Sequence, residues 1–324
     1  MSATSPVPSL NAQTTAFASA KPRCMRLAVC RMLLCAAALP WASATAGIQA
    51  IDDAGHTVTL PAPARRIVSM APHLTELLFA AGAGSRVVGA SAFSDYPEAA
   101  RSLPRVGDHA QLDLERIVAL QPDLIVVWRH GNSAQQLAHL AALGIPVYAS
   151  ESRTLEGISS SLRRLGHLSG SDAAANREAD RFDAELASLR ATYARRRELR
   201  VFYQIWPQPL LTVNREHLIS QALATCGARN VFADLHALTP TVGAEAVVTA
   251  DPDAIATGST DQKGVDDLAT WRRLGALRAT RLGNLLVTDS DKLHRQSSRI
   301  VEGVTELCKQ LDEVRRRIER NGAR

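Results

Sequence analysis

The stretch LERIVALQPDLIVVW, Leu114–Trp128, decides the fold, because the chain repeats its plan as AEAVVTADPDAIATG, Ala244–Gly258. In each copy a glutamate heads a short apolar-periodic run, Pro-Asp stops that run, and a second apolar run follows. Glu115 lies 7 positions before Pro122, Glu245 lies 7 before Pro252, and the copies are 130 residues apart. Proline cannot continue a helix and pushes the residue before it toward extended backbone, so each copy reads as helix, turn, strand. Pro-Asp is ordinary punctuation in α/β proteins; a glutamate at matched spacing in both copies is less ordinary. Leu124–Trp128 is apolar throughout, as a strand of a parallel sheet covered on both faces must be.

Working outward, Ile48–Leu60 has apolar residues alternating on either side of Asp-Asp-Ala-Gly, a hairpin signal. Arg65–Met70 is a short buried strand, followed by a helix around Thr75 and Glu76 that ends at Gly82 and Gly84. Asp113 is placed to cap the helix that carries Glu115. Strands then alternate with helices as far as the strand IPVYAS, which predicts an α/β lobe with a mainly parallel sheet. From Thr154 to about Arg197 the pattern changes. Leu162, Leu165, Ala179, Phe182, Leu186, Leu189 and Tyr193 recur at helical spacing, with a break at Ser169–Asp172. The second part, about 25 residues and about 38 Å long, reads as a strut between two bodies. After it the α/β rhythm resumes with LRVFYQIW and closes on a long terminal helix. The expected division is 1–46 leader, 47–153 first lobe, 154–198 backbone helix region and 199–324 second lobe.

The first 46 residues stand apart. They hold Lys21, Arg23, Arg26 and Arg31 and no acid, then the apolar stretch Leu27–Ala42, then small residues at Ala44 and Ala46. This is the order of a secretory signal, with cleavage after Ala46 or Ala44 and translation from Met1 or Met25. A buried N-terminal helix is the structural alternative; a lipid-modified Cys35 is disfavoured by bulky Leu34 before it. The whole chain has 37 basic and 32 acidic residues. Without the four leader cations the balance is near neutral, so no basic patch calls for nucleic acid. Three cysteines leave with the leader. The remaining pair, Cys226 and Cys308, reads as a disulfide in an oxidising compartment, with two separate buried thiols as the alternative.

No nucleophile elbow, His-Glu-x-x-His zinc motif, P-loop or dinucleotide loop is present, so neither catalytic nor metal-binding residues are assigned. The histidines are scattered; His73, His109 and His294 fall at strand-to-helix turns, where such folds place their sites. Aromatic residues are only 4% of the chain, and several follow strands: Phe93 and Tyr96 in AFSDYP, Trp128 after LIVV, Trp206 after VFYQI. Rings at strand C-terminal ends suit a large, flat, partly apolar ligand; alternatively each tryptophan caps its own core.

Arg66–Gly84 (RIVSMAPHLTELLFAAGAG), Phe93–Ala100 (FSDYPEAA), Leu112–Asn132 (LDLERIVALQPDLIVVWRHGN), Cys226–Phe232 (CGARNVF) and Asp289–Ile300 (DSDKLHRQSSRI) together resemble the periplasmic vitamin B12-binding proteins of ABC importers. The likeness runs from about Arg65 to the C-terminus, and its wider family includes haem and iron-siderophore binders. The resemblance implies two α/β lobes with mainly parallel sheets, joined by a single long backbone helix, with the ligand cleft between them. It implies a monomeric periplasmic carrier of cobalamin, without a resident cofactor, that delivers its cargo to a membrane permease. By alignment Glu115 and Glu245 become permease-docking residues, and Cys226 and Cys308 the family disulfide. Phe93, His109, Trp128, Asp291 and Arg295 fall at ligand-contacting positions, with Trp206 an additional ring. Departures are visible: Phe93 stands for a tyrosine, and His109 and Thr239 stand for tryptophans. His109 and His294 are the candidate residues to meet cobalt or haem iron, so a haem or siderophore binder is one alternative and a secreted α/β enzyme is another.

Overall fold

The computed structural model describes residues 47–108, 110–260 and 267–322; the expected leader, 1–46, and His109 lie outside them. β1 (Ile48–Ile51) and β2 (Thr57–Leu60) form the expected antiparallel hairpin. The Asp52 carboxylate closes its turn by accepting the Ala54 and His56 N–H groups at 2.9 and 2.8 Å. There follow β3 (Ile67–Ser69), α1 (Pro72–Ala80), β4 (Val87–Ala90), α2 (Leu114–Ala119), β5 (Leu124–Trp128), α3 (Ala134–Ala142) and β6 (Val147–Ser150). Their sheet is parallel with order β4-β3-β5-β6.

Next come α4 (Leu155–Ser169) and α5 (Asp172–Tyr193). The chain continues with β7 (Leu199–Gln204), β8 (Trp206–Pro207), β9 (Leu210–Leu211), α6 (Leu218–Thr225), β10 (Ala228–Asn230), α7 (Ala244–Ala250) and β11 (Ala254–Gly258). It closes with α8 (Ala269–Arg273), α9 (Arg278–Arg281), β12 (Leu285–Thr288), α10 (Ser290–Leu293) and α11 (Ile300–Gly322). The second parallel sheet has order β10-β7-β11-β12. Two α/β lobes therefore share one topology, with β3, β4, β5 and β6 matched by β7, β10, β11 and β12.

The twin motif is matched down to its hydrogen bonds. In the first lobe Arg66 donates to the Leu120 carbonyl at the end of α2 at 2.6 Å, and Asp123 accepts the Arg66 N–H at 3.0 Å. In the second, Arg200 donates to the Ala250 carbonyl at the end of α7 at 2.6 Å, and Asp253 accepts the Arg200 N–H at 3.0 Å. Gln121 and Asp251 take the same left-handed backbone, φ 46° and 37°. Pro-Asp thus ties each helix to the start of the neighbouring strand, and the arginine satisfies carbonyls that a helix end leaves open.

The backbone region is a helix pair, with α5 as the strut. Thr154 caps α4 by accepting the Gly157 N–H at 3.0 Å, and Gly170, at φ 65°, ends it in the left-handed conformation that glycine adopts without cost. α5 has 22 residues, about 33 Å at 1.5 Å per residue, shorter than the expected strut because its last basic residues leave the helix after Tyr193. Its buried face, Ala175, Ala179, Phe182, Leu186 and Tyr193, packs on α4 and α1 and on α6 and α11. One continuous apolar core consequently joins both lobes, from Leu74 and Leu77 through Leu162 and Phe182 to Leu223 and Leu307. Each sheet covers its other face separately, around Ile117 and Ile125 in one lobe and around Phe202, Ile255 and Trp271 in the other.

Cys226, at the end of α6, is bonded to Cys308 of α11. Buried Arg315 reinforces the same joint, donating to the Cys226 and Gly227 carbonyls at 2.7 and 2.8 Å. One expectation is corrected: β7 ends at Gln204, not at Trp206. Trp206 opens the two-residue strand β8, paired antiparallel with β9, because Pro207 and Pro209 interrupt any continuation of the parallel ladder.

Candidate functional site

The C-terminal ends of the two sheets are where an open α/β design leaves room for a ligand. In the first lobe the loop after β4 carries Phe93, Asp95 and Tyr96. Buried hydroxyls fasten it: Thr75 lies 2.9 Å from Ser69 and 3.1 Å from Ser94, and Ser94 lies 3.3 Å from Ser91. On this fixed loop Phe93 sits at φ 64° with 72% of its surface exposed. A bulky side chain held in the left-handed region and turned to solvent is the kind of outlier that marks a functional position.

Trp128 closes β5 as the sequence predicts. Its backbone N–H donates to the Asn132 side chain and its carbonyl accepts the Asn132 N–H, both at 3.0 Å. A Cβ on Gly131 would overlap the indole ring, so glycine is required there for the ring to lie flat on the turn. His73 meets the same indole edge-on with ring centroids 5.1 Å apart. Trp128 is half-buried against the shared core. Its Nε1 donor and His73 Nε2 are both buried without a hydrogen-bond partner, which is rare for such groups. Burial, helped by the Arg295 charge, holds His73 neutral with its pKa pushed down to about 3.

The lobes meet at an ionic cluster that the sequence reading did not contain. Glu76, on α1 and only 3% exposed, accepts from Arg295 at 2.7 Å, from Arg299 at 3.4 Å and from the Ser297 hydroxyl at 2.6 Å. Arg295 also pairs with Asp95 at 3.0 Å and with Asp291 at 2.9 Å. Arg299 lies over the Tyr96 ring, 3.8 Å from its centroid, within cation–π range. Burial works against the Arg295 cation, yet its hydrogen bonds to Glu76 and Asp95 outweigh this and raise its pKa above the ordinary arginine value. Burial likewise opposes the Asp95 anion, and the hydrogen bond from Arg295 overcomes it and lowers the Asp95 pKa.

Of the residues singled out from sequence, Arg295 and Asp291 thus come together, with Phe93 two residues from their partner Asp95 and Trp128 beside the neighbouring His73. Trp206 takes no part in these ion pairs: it is 58% exposed and its Nε1 donates to the Gln208 carbonyl at 2.9 Å. His294 is already engaged, with Nε2 2.8 Å from the Tyr203 hydroxyl and its ring against Gly258. Glu115 and Glu245 are both exposed, in the first turn of α2 and α7. The signals missed were Glu76, a carboxylate between Leu74 and Leu77 on the buried part of α1, and Arg299, four residues after Arg295. A groove of about 500 Å³ between Tyr193, Arg196, Arg215 and Ser220 lies elsewhere, on the flank of the second lobe.

With two rings, two arginines and three carboxylates grouped at the meeting of the lobes, the arrangement can hold a flat ligand bearing polar edges; no nucleophile–base pair is grouped there among the described residues. The sequence profile described as periplasmic binding protein matches residues 67–292. The vitamin B12-binding protein of Yersinia pestis is 38% identical over 259 residues, covering 79% of this chain and 90% of that protein. The crystal structure of the periplasmic vitamin B12-binding protein BtuF of Vibrio cholerae superposes with a TM-score of 0.72 at 35% identity, over 78% of this chain and 98% of that one. The periplasmic heme-binding protein RhuT of Roseiflexus has a TM-score of 0.69 at 25% identity, over 77% and 98% of the respective chains.

Proposed function

The chain belongs to the periplasmic binding protein family, and on that premise we propose that it captures cobalamin or a related corrinoid in the periplasm and delivers it, unaltered, to the permease of an ABC importer. The observation that carries the reading is the identity with vitamin B12-binding proteins, 38% over 259 residues against 25% for the haem binder of the same fold. The fold alone does not separate the two cargoes, since their structures superpose almost equally well. The site chemistry supports the corrinoid. Trp128 and Phe93 offer aromatic faces to a macrocycle, and Arg295 with Asp291 offers charge-assisted hydrogen bonds to its amide-bearing rim. Trp206 supplies a further ring from the second lobe. The secretory leader read from residues 1–46 supports a periplasmic location, and the Cys226–Cys308 bond fits that oxidising compartment.

In this reading Glu115 and Glu245 dock the loaded protein onto the permease. Both are exposed at the starts of matched helices, and neither has an ion-pair partner among the described residues. Charges held apart on a stiff body steer an encounter and fix its orientation.

Calorimetric titration with cyanocobalamin tests the cargo site. Trp128→Ala is expected to weaken binding by about 1–3 kcal/mol through lost aromatic burial. Unchanged affinity in a folded variant would take Trp128 out of the site.

A further inference from the structure

The turn after each docking glutamate repeats as well. Val118 follows Glu115 by three residues and is 50% exposed; Val248 follows Glu245 by three and is 44% exposed. Between them Ile117 and Val247 are fully buried. Residues i and i+3 share a helix face while i+2 points to the opposite side, so each helix turns its apolar residue inward and shows the same glutamate–valine pair outward. A single exposed valine needs no explanation. The same valine at the same offset from the same unpaired carboxylate, in two lobes 130 residues apart, does. The backbone holds both pairs rigidly, since α2 and α7 are each anchored by an arginine and a Pro-Asp. The nearest cation on α2, Arg116, is engaged by Asp113 at 3.4 Å and leaves Glu115 free.

We propose that the docking element in each lobe is the pair, Glu115 with Val118 and Glu245 with Val248, and that the permease answers each with a cation packed beside an apolar side chain. This rests on the docking reading given above and adds an apolar half to it. The carboxylate gives the contact its salt-dependent steering. The valine gives it a component that salt does not screen, by removing apolar surface from water.

The test uses the loaded protein and the corrinoid importer complex of its producing organism in nanodiscs, with binding followed by interferometry from about 50 to 500 mM salt. Val118→Ser with Val248→Ser is expected to weaken docking about tenfold at every salt concentration, with an unchanged salt slope. Val118→Ile with Val248→Ile should bind at least as tightly as the parent, and Glu115→Gln with Glu245→Gln should weaken binding and flatten the slope. If the glutamine pair weakens binding while the serine pair stays within about twofold, the apolar half is refuted and the docking reading stands. If neither pair changes binding, the docking reading itself fails, and this proposal with it. Melting temperature and cyanocobalamin affinity, unaltered in all three variants, report that the exposed substitutions leave the fold intact.

Discussion

Glu76→Ala is expected to destabilise the protein by about 3 kcal/mol, lowering its melting temperature by about 6–12 °C. The carboxylate is almost wholly buried and receives three donors from the other lobe, Arg295, Ser297 and Arg299. Removing one member of a buried ion pair leaves the remaining charge without compensation, which costs more than the pair's net stabilisation. The loss should sit at the lower end of the usual range because Arg295 keeps Asp95 and Asp291, and Arg299 keeps the Tyr96 ring. A double-mutant cycle with Arg295→Ala isolates the coupling. Additive effects, or a melting temperature within a degree or two of the parent for Glu76→Ala, would show that the cluster does not hold the lobes together.

The second large effect is on acid stability. His73, His217 and His294 are held neutral, chiefly by burial, with pKa values pushed down to about 3, about 4 and about 4. In the unfolded chain each titrates near 6.5. Between about pH 6.5 and 4 the unfolded state binds protons that the folded state does not, so stability falls as pH falls. The slope approaches about 1.4 kcal/mol per pH unit for each histidine. Denaturant unfolding at about pH 7, 6 and 5 should show the midpoint dropping at each step. A flat profile across that window would mean that these rings are hydrated and free to protonate.

Both effects arise from contacts that a sequence shows poorly. The twin units were legible because their determinants are local: Asp113 caps α2 by accepting the Arg116 N–H at 2.9 Å, and Pro122 and Pro252 sit where a helix must stop. The break between α4 and α5, the hairpin at Asp52 and the disulfide were legible for the same reason or from the cysteine count. Glu76 meets Arg295 across 219 residues of chain, and no periodicity within α1 announces a partner so distant. Local pattern does place Glu76 on a buried face, between Leu74 and Leu77, and a buried carboxylate requires a cation. Burial thus calls for a cation beside Glu76 but does not single out Arg295. Trp206 misled because the run of β-forming residues continues two positions past Gln204, where the parallel ladder ends. The identical seating of Arg66 and Arg200 on helix carbonyls was equally hidden, since an arginine at a strand start reads from sequence as an exposed charge.

The most direct measurement is an absorbance spectrum of the purified protein after incubation with cyanocobalamin, or separately with haemin, followed by desalting. The corrinoid bands are expected to co-elute with the protein in stoichiometric amount, and haemin is expected to be lost on the column. Retention of haemin with loss of the corrinoid, or loss of both, would contradict the proposed cargo.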